Sequence, residues 1–103
     1  MEVRVTARHE SKATQEVQQR ITDELTKLGK FYDRITSCRV VLDKEHEATV
    51  VEIVANAQGQ TLSATAKHER AGTAIDEALD KVERQLKKLN EKIKNHKAVK
   101  DEA

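Results

Sequence analysis

The 103-residue sequence has little of several residue types that commonly define a fold or a site. It has no proline and no tryptophan, three glycines, one cysteine, and two adjacent aromatic residues, Phe31 and Tyr32. A single cysteine, Cys38, excludes a disulfide within the chain and supplies no zinc ligand set. Three scattered glycines form no glycine-rich phosphate-binding loop. The core must therefore be built from valine, isoleucine, leucine and alanine.

Recognisable catalytic and membrane-spanning patterns are also missing. Cys38 falls on the apolar face of a predicted strand, where a thiol is usually buried and unreactive. No apolar run approaches the length of a membrane span, and no charged-then-apolar leader stands at the start. We therefore expect a cytoplasmic, single-domain protein that is not an enzyme and has no cofactor, no metal, no small-molecule substrate and no membrane partner. The histidines, none of them paired at metal-ligand spacing, are His9, His46, His68 and His96.

What the sequence does contain is regular apolar periodicity. Spacings of three and four predict a first amphipathic helix from Val17 to Leu28 that stops at Gly29, and a second that starts at a capping box, Thr73–Asp76. The second helix carries its apolar stripe as far as Ile93. Alternation of apolar and polar residues predicts strands at 2–8, 35–43, 48–57 and 60–68.

The order of these elements, βαβββα, predicts an α+β fold. Both helices need to bury an apolar stripe and each strand has one apolar face, so we predict a four-stranded sheet with two helices packed on one face, like a double-stranded-RNA-binding domain. The strand–helix–strand connection makes the first two strands parallel if they are neighbours. We predict that residues 1–94 form this domain and that 95–103 are a flexible polar tail.

Charge is distributed unevenly along a chain whose net charge is only +1. Residues 81–100 contain eight basic and two acidic residues, a net of +6, and the remaining 11 basic and 16 acidic residues sum to −5. A nearly neutral total with one concentrated basic segment indicates a single surface that faces a polyanion.

The second predicted helix presents this basic segment as a stripe. With its apolar side against the sheet, Lys81, Arg84 and Lys88 fall on a common outward face, which Lys92 continues and Lys87 flanks. Such a row of cations suits the phosphates of a folded RNA and predicts salt-sensitive binding. A solvated lysine-rich face with no such role shows the same pattern.

The predicted open face of the sheet is a weaker candidate. It carries Arg4, Arg8 and Lys67 among threonines and serines, which strands also favour for their β propensity. The predicted open face has no aromatic residue, so it offers no platform for stacking single-stranded bases, and recognition of structured RNA through shape and phosphates remains.

Several segments together resemble the ribosome hibernation promoting factors. They are Phe31-Tyr32-Asp33-Arg34-Ile35, Val40-Val41-Leu42, Ala74-Ile75-Asp76 and Asp80-Lys81-Val82-Glu83-Arg84-Gln85-Leu86-Lys87-Lys88. The family is also called ribosome-associated inhibitor A or sigma-54 modulation protein. The resemblance covers residues 1–94 and keeps the βαβββα order, and the chain resembles either a short member or the N-terminal domain of a long one.

The resemblance implies a translation inhibitor that binds small-subunit ribosomal RNA in the channel for messenger and transfer RNA, under stress or in stationary phase. It also implies that Lys81, Arg84 and Lys88 contact that RNA, together with Lys87 and Lys92. We expect the protein to be monomeric off the ribosome. Two alternatives stay open on the residues alone: a general structured-RNA-binding domain, and a protein-interaction module whose lysine-rich helix or sheet edge docks an acidic partner.

Overall fold

The computed structural model describes residues 1–8, 15–32 and 34–102, with side chains described as far as Glu91. The elements are β1 (Glu2–Ala7), α1 (Gln15–Phe31), β2 (Ile35–Glu45), β3 (Ala48–Ala57), β4 (Gln60–His68) and α2 (Ala71–Glu102). The four strands form one sheet in the order β1-β2-β3-β4, in which β1 is parallel to β2 and the other pairs are antiparallel. The predicted βαβββα α+β fold is thus confirmed.

Both helices pack on the same face of the sheet and make one aliphatic core. Helix α1 buries Ile21, Leu25 and Leu28, the i, i+4, i+7 positions of its apolar stripe. These side chains meet the inward residues of the strands, such as Val40 and Ile53, which are fully buried. Each fully buried leucine or isoleucine contributes about 1.5–3 kcal/mol, so an aromatic-free core suffices for a domain of this size. The described α2 residues that are buried in the core are Ala74, Ile75, Ala78, Val82, Leu86 and Leu89.

The structure corrects the predicted end of α1 and the facing of one β1 residue. Helix α1 continues through Gly29 to Phe31. A Cβ atom added at Gly29 would lie 3.2 Å from both the Sδ and the Cε atom of Met1, so the glycine lets the first side chain of the protein lie against the helix. Ala7, predicted to face the core, is exposed, while Val5 packs partly against it.

Helix α2 begins before the capping box that the sequence suggested. Its first residue is Ala71, and the Ala74 backbone N–H already donates to the Arg70 carbonyl at 3.0 Å, which places Thr73 inside the helix. The backbone is helical to Glu102. The predicted domain end at residue 94 and the flexible tail 95–103 stay predictions, since the side chains from residue 92 on lie outside the described ones.

The β3–β4 hairpin closes with a two-residue turn in which both residues are left-handed. Gln58 has φ 53° and Gly59 has φ 74°, the signs that a type I′ turn requires. Glycine adopts this conformation freely, whereas a glutamine does so rarely.

Among the described residues, neither helix is long and apolar enough to cross a membrane.

Candidate nucleic-acid interface

The cationic side of α2 faces outward, as the sequence predicts. Because Ile75, Val82 and Leu86 are buried against the sheet, a rotation of about 100° per residue turns the basic positions to solvent. The four basic positions with described side chains are all exposed: Lys81, Arg84, Lys87 and Lys88. The side chain of Lys92, the fifth predicted position, lies outside the described residues.

Lys81 is engaged with the edge of the sheet. Its Nζ donates a hydrogen bond to the backbone carbonyl of Thr65 at 2.7 Å, and one helical turn later Gln85 Nε2 donates to the carbonyl of Ser63, also at 2.7 Å. Strand β4 is the last strand of the sheet, so these carbonyls point to its unpaired edge. The two side chains satisfy acceptors that would otherwise template pairing with another strand. An i, i+4 pair of long polar donors is the only sign of this role in the sequence.

Arg84 is engaged with a carboxylate of its own helix. Its Nη2 lies 3.0 Å from Asp80 Oδ2, and the two side chains are 77% and 52% exposed. An exposed i, i+4 ion pair contributes only about 0.3–0.5 kcal/mol. Arg84 can therefore exchange Asp80 for a phosphate at small cost.

Lys87 and Lys88 are the uncommitted cations of the stripe. Within the described part of the chain, neither ammonium group has a hydrogen-bond or ion-pair partner. Because both side chains are exposed and neither must give up a partner among the described residues, a phosphate can approach either one without breaking an existing bond. These two lysines are the most available phosphate contacts on the described surface of α2.

The first half of α2 is acidic, so charge is segregated along the helix. Asp76 pairs with Arg20 of α1. Further along, Glu24, Asp80 and Glu83 line a groove between the two helices. Phosphates approaching this groove would be repelled, whereas the outward face that carries Lys81, Arg84 and Lys88 is open to a polyanion.

The open-face cations lie apart from the α2 stripe. Arg4 pairs with Glu2 at 3.2 Å, and Lys67 pairs with Glu45 at 3.2 Å. Arg8 is exposed just beyond β1, where its backbone N–H donates to the Leu42 carbonyl at 2.7 Å. The open face is opposite to the helices, and the bond from Lys81 to the Thr65 carbonyl places that cation of α2 at the β4 edge, between the two faces.

Cys38 is the buried thiol that the sequence predicts. It is 3% exposed, and burial raises the pKa of the thiol from 9.0 to about 11, although the nearby N-terminal ammonium group opposes the shift. A thiol that stays protonated at neutral pH is a poor nucleophile. Among the described residues, no group of three histidine, cysteine or acidic side chains is placed to hold a metal ion.

Comparison with known proteins shows which family the sequence matches. Residues 3–94 match the family described as sigma 54 modulation protein / S30EA ribosomal protein. A ribosome hibernation promoting factor of Pseudomonas putida is 33% identical over 92 residues, which is 89% of this chain and 89% of the relative. Another from Klebsiella oxytoca is 30% identical over 93% of this chain and all of the relative, and one from Escherichia coli is 31% identical over 81% and 87%.

Solved structures share the fold. A ribosomal subunit interface protein from Coxiella burnetii superposes with a TM-score of 0.80 at 18% identity, covering 87% of this chain and 98% of that one. The N-terminal domain of Thermus thermophilus Protein Y superposes with a TM-score of 0.77 at 22% identity, covering 86% and 99%. At these identities the likeness establishes the arrangement of strands and helices.

Proposed function

Because the chain belongs to the sigma 54 modulation protein / S30EA ribosomal protein family, we propose that it binds ribosomal RNA of the small subunit in the channel for messenger and transfer RNA. Relatives named ribosome hibernation promoting factor support a ribosome-associated hibernation role. In our proposal the protein acts in the cytoplasm, under stress or in stationary phase, and inhibits translation by occupying that channel. Occlusion needs no catalysis, and residues 1–94 form the ribosome-binding domain.

The observation that carries the proposal is the outward row of cations on α2. Lys87 and Lys88 have no partner among the described residues, and Arg84 is held only by an exposed carboxylate. Each contact with a phosphate releases counterions from the RNA, which makes the binding favourable at low salt. Lys81 joins this row once an RNA phosphate replaces its bond to the Thr65 carbonyl, and Lys92 extends it along the helix.

The open-face cations are secondary contacts in this proposal. Arg4 and Lys67 each have an exposed carboxylate partner, and ion pairs of that kind are weak enough to exchange for phosphate. The sheet face also carries carboxylates of its own, such as Glu52, so its attraction for RNA is smaller than that of the later turns of α2. We expect removal of Arg4, Arg8 and Lys67 to weaken binding less than removal of three cations from α2.

Co-sedimentation with purified small ribosomal subunits tests the proposal, together with inhibition of translation in a cell-free reaction. We expect the wild-type protein to sediment with small subunits and to inhibit translation. The Lys81→Ala/Arg84→Ala/Lys88→Ala variant should lose both properties. The Arg4→Ala/Arg8→Ala/Lys67→Ala variant removes the same number of charges and serves as the matched control.

Two outcomes would contradict the proposal. Wild-type protein that stays in the light fractions when small subunits are in excess would exclude the small subunit as its partner. A protein-interaction module would behave in this way, whereas a general structured-RNA binder would bind duplex RNA as tightly as it binds subunits. Unchanged sedimentation of the α2 triple variant would show that the contact lies elsewhere on the protein.

A further inference from the structure

Among the described residues, Phe31 and Met1 are the two large hydrophobic residues that the fold leaves exposed. Phe31 is the last residue of α1 and is 82% exposed. The adjacent Tyr32 instead packs against the core. The chain has only two aromatic residues. The fold buries little of the Phe31 ring, so the ring is available to contact a partner.

A depression beside Phe31 combines an apolar floor with a polar rim. Buried side chains that include Ile35, Leu86 and Leu89 form the floor. Arg34, Gln58 and Asn90 supply guanidinium and amide groups at the rim. We call Phe31, Arg34, Gln58 and Asn90, with the floor they surround, the Phe31 pocket. An apolar floor bordered by a few hydrogen-bonding groups can contact a planar group on one face while the rim binds its edge.

Two hydrogen bonds hold the rim in place. The backbone N–H of Gln58 donates to the Arg34 carbonyl at 3.4 Å, and Arg34 Nη1 donates to Gln58 Oε1 at 3.3 Å. This bond uses one of the five N–H groups of the guanidinium, and the amide nitrogen of Gln58 is a further donor. The type I′ turn fixes the backbone of Gln58, which holds its side chain at this end of the hairpin.

The pocket lies beside an uncommitted cation of the α2 stripe. Lys87 precedes Asn90 by three residues, which makes the two side chains neighbours on the helix surface. A phosphate bound by Lys87 would therefore bring its attached nucleotide to the rim of the Phe31 pocket. In a nucleic acid, each phosphate is linked to a base through one sugar, so the base lies nearby.

We propose that the Phe31 pocket receives an unpaired nucleobase of the bound RNA, stacked on the Phe31 ring. Arg34, Gln58 and Asn90 hydrogen-bond the edge of the base, and Lys87 holds its phosphate. This inference rests on the proposed function and adds base contact to an interface otherwise made with phosphates. Phe31 lies at the end of α1. The sequence excludes base stacking only on the open face of the sheet, which has no aromatic residue.

Binding of three Phe31 variants to small subunits separates stacking from simple apolar contact. Phe31→Ala and Phe31→Leu should weaken binding by roughly 5- to 150-fold, the range found for loss of one stacked base. Phe31→Trp should bind at least as tightly as the wild type, because an indole stacks as well as a phenyl ring. All three should fold, which far-ultraviolet circular dichroism checks, since the replaced ring is exposed. Wild-type binding by Phe31→Leu would overturn the proposal and favour an apolar contact with a ribosomal protein.

A fluorescent probe reports on the stack directly. The chain has no tryptophan, so Phe31→Trp, incorporated as 5-hydroxytryptophan, can be excited apart from the tryptophans of ribosomal proteins. A stacked base should quench this indole when small subunits are added. The same probe in Gln15→Trp, at the other end of α1, should be unaffected. Binding of Phe31→Trp without quenching would overturn the stack and leave the proposed function standing, whereas a wild-type protein that does not bind subunits would exclude both.

Discussion

The Lys87→Ala/Lys88→Ala variant tests the RNA interface with little risk to the fold. Both side chains are exposed, and neither has a partner among the described residues. Alanine is at least as good a helix former as lysine, so the variant should unfold at the urea concentration of the wild type. A loss of binding to small subunits would then report on contacts with RNA.

The size of the effect follows from counterion release. Each phosphate that a lysine neutralises contributes about 0.7–0.9 to the slope of log K against log salt concentration. Two lost contacts should lower that slope by about 1.4–1.8. Raising the salt from about 50 mM to about 200 mM should then weaken the variant about tenfold less than it weakens the wild-type protein.

The assay is a titration of labelled protein with small ribosomal subunits over a series of salt concentrations. Lys87→Arg/Lys88→Arg is the matched control, because it keeps both charges and should keep the wild-type slope. A wild-type slope in the alanine variant would refute the assignment of these lysines to phosphates. A reduced slope in the arginine variant would show that geometry, rather than charge, decides the contact.

Three further predictions follow from individual contacts. Asp80→Asn frees Arg84, so titration at constant salt should show about twofold tighter small-subunit binding. Burial raises the pKa of the Cys38 thiol from 9.0 to about 11, so the folded state favours the protonated thiol. This contribution to the free energy of unfolding is complete below pH 9 and falls by roughly 2 kcal/mol as the pH approaches 11. Urea unfolding of the wild type and of Cys38→Ala across this pH range measures the difference. Gly29→Ala should raise the free energy of unfolding by about 0.5 kcal/mol in urea, since alanine favours a helix by about 1 kcal/mol and the added methyl group meets only the flexible end of Met1.

Each of these predictions has a contrary outcome. Glu77→Gln removes one negative charge from the same helix without freeing Arg84, so equal tightening by Glu77→Gln and Asp80→Asn would assign the effect to net charge. An identical pH dependence of unfolding with and without the Cys38 thiol would show that the thiol ionises equally in both states. A less stable Gly29→Ala would show that the contact with Met1 outweighs helix propensity.

The sequence was sufficient to predict the fold because its apolar pattern changes period cleanly. Alternation placed Val40, Ile53 and Ala64 on the buried face of the sheet, and steps of three and four placed Ile21 and Val82 in the core. These signals are local: they need only the backbone period of each element and the requirement that each apolar face be covered.

Features that depend on contacts between distant segments could not be predicted in this way. The bond from Lys81 to the Thr65 carbonyl requires α2 to lie along β4 at one particular height. Gly29 suggested a helix stop, but its lack of a side chain serves a contact with Met1 instead. Val41, on the open face, is 9% exposed because Thr6 and Glu52 flank it across the sheet, which alternation alone does not reveal.

The helix dipole is a competing explanation for the charge pattern of α2, but it applies only to residues near the helix ends. Acidic residues near a helix N-terminus and basic residues near its C-terminus both stabilise the helix through its dipole. The effect falls off within the first and last turns of a helix. The first turn of α2 contains no acidic residue, and Lys87 and Lys88 lie about four turns from either end. The helix dipole therefore does not explain why α2 carries, in its middle turns, Lys87 and Lys88, which have no partner among the described residues. Under the proposed function these two lysines bind the phosphates of RNA.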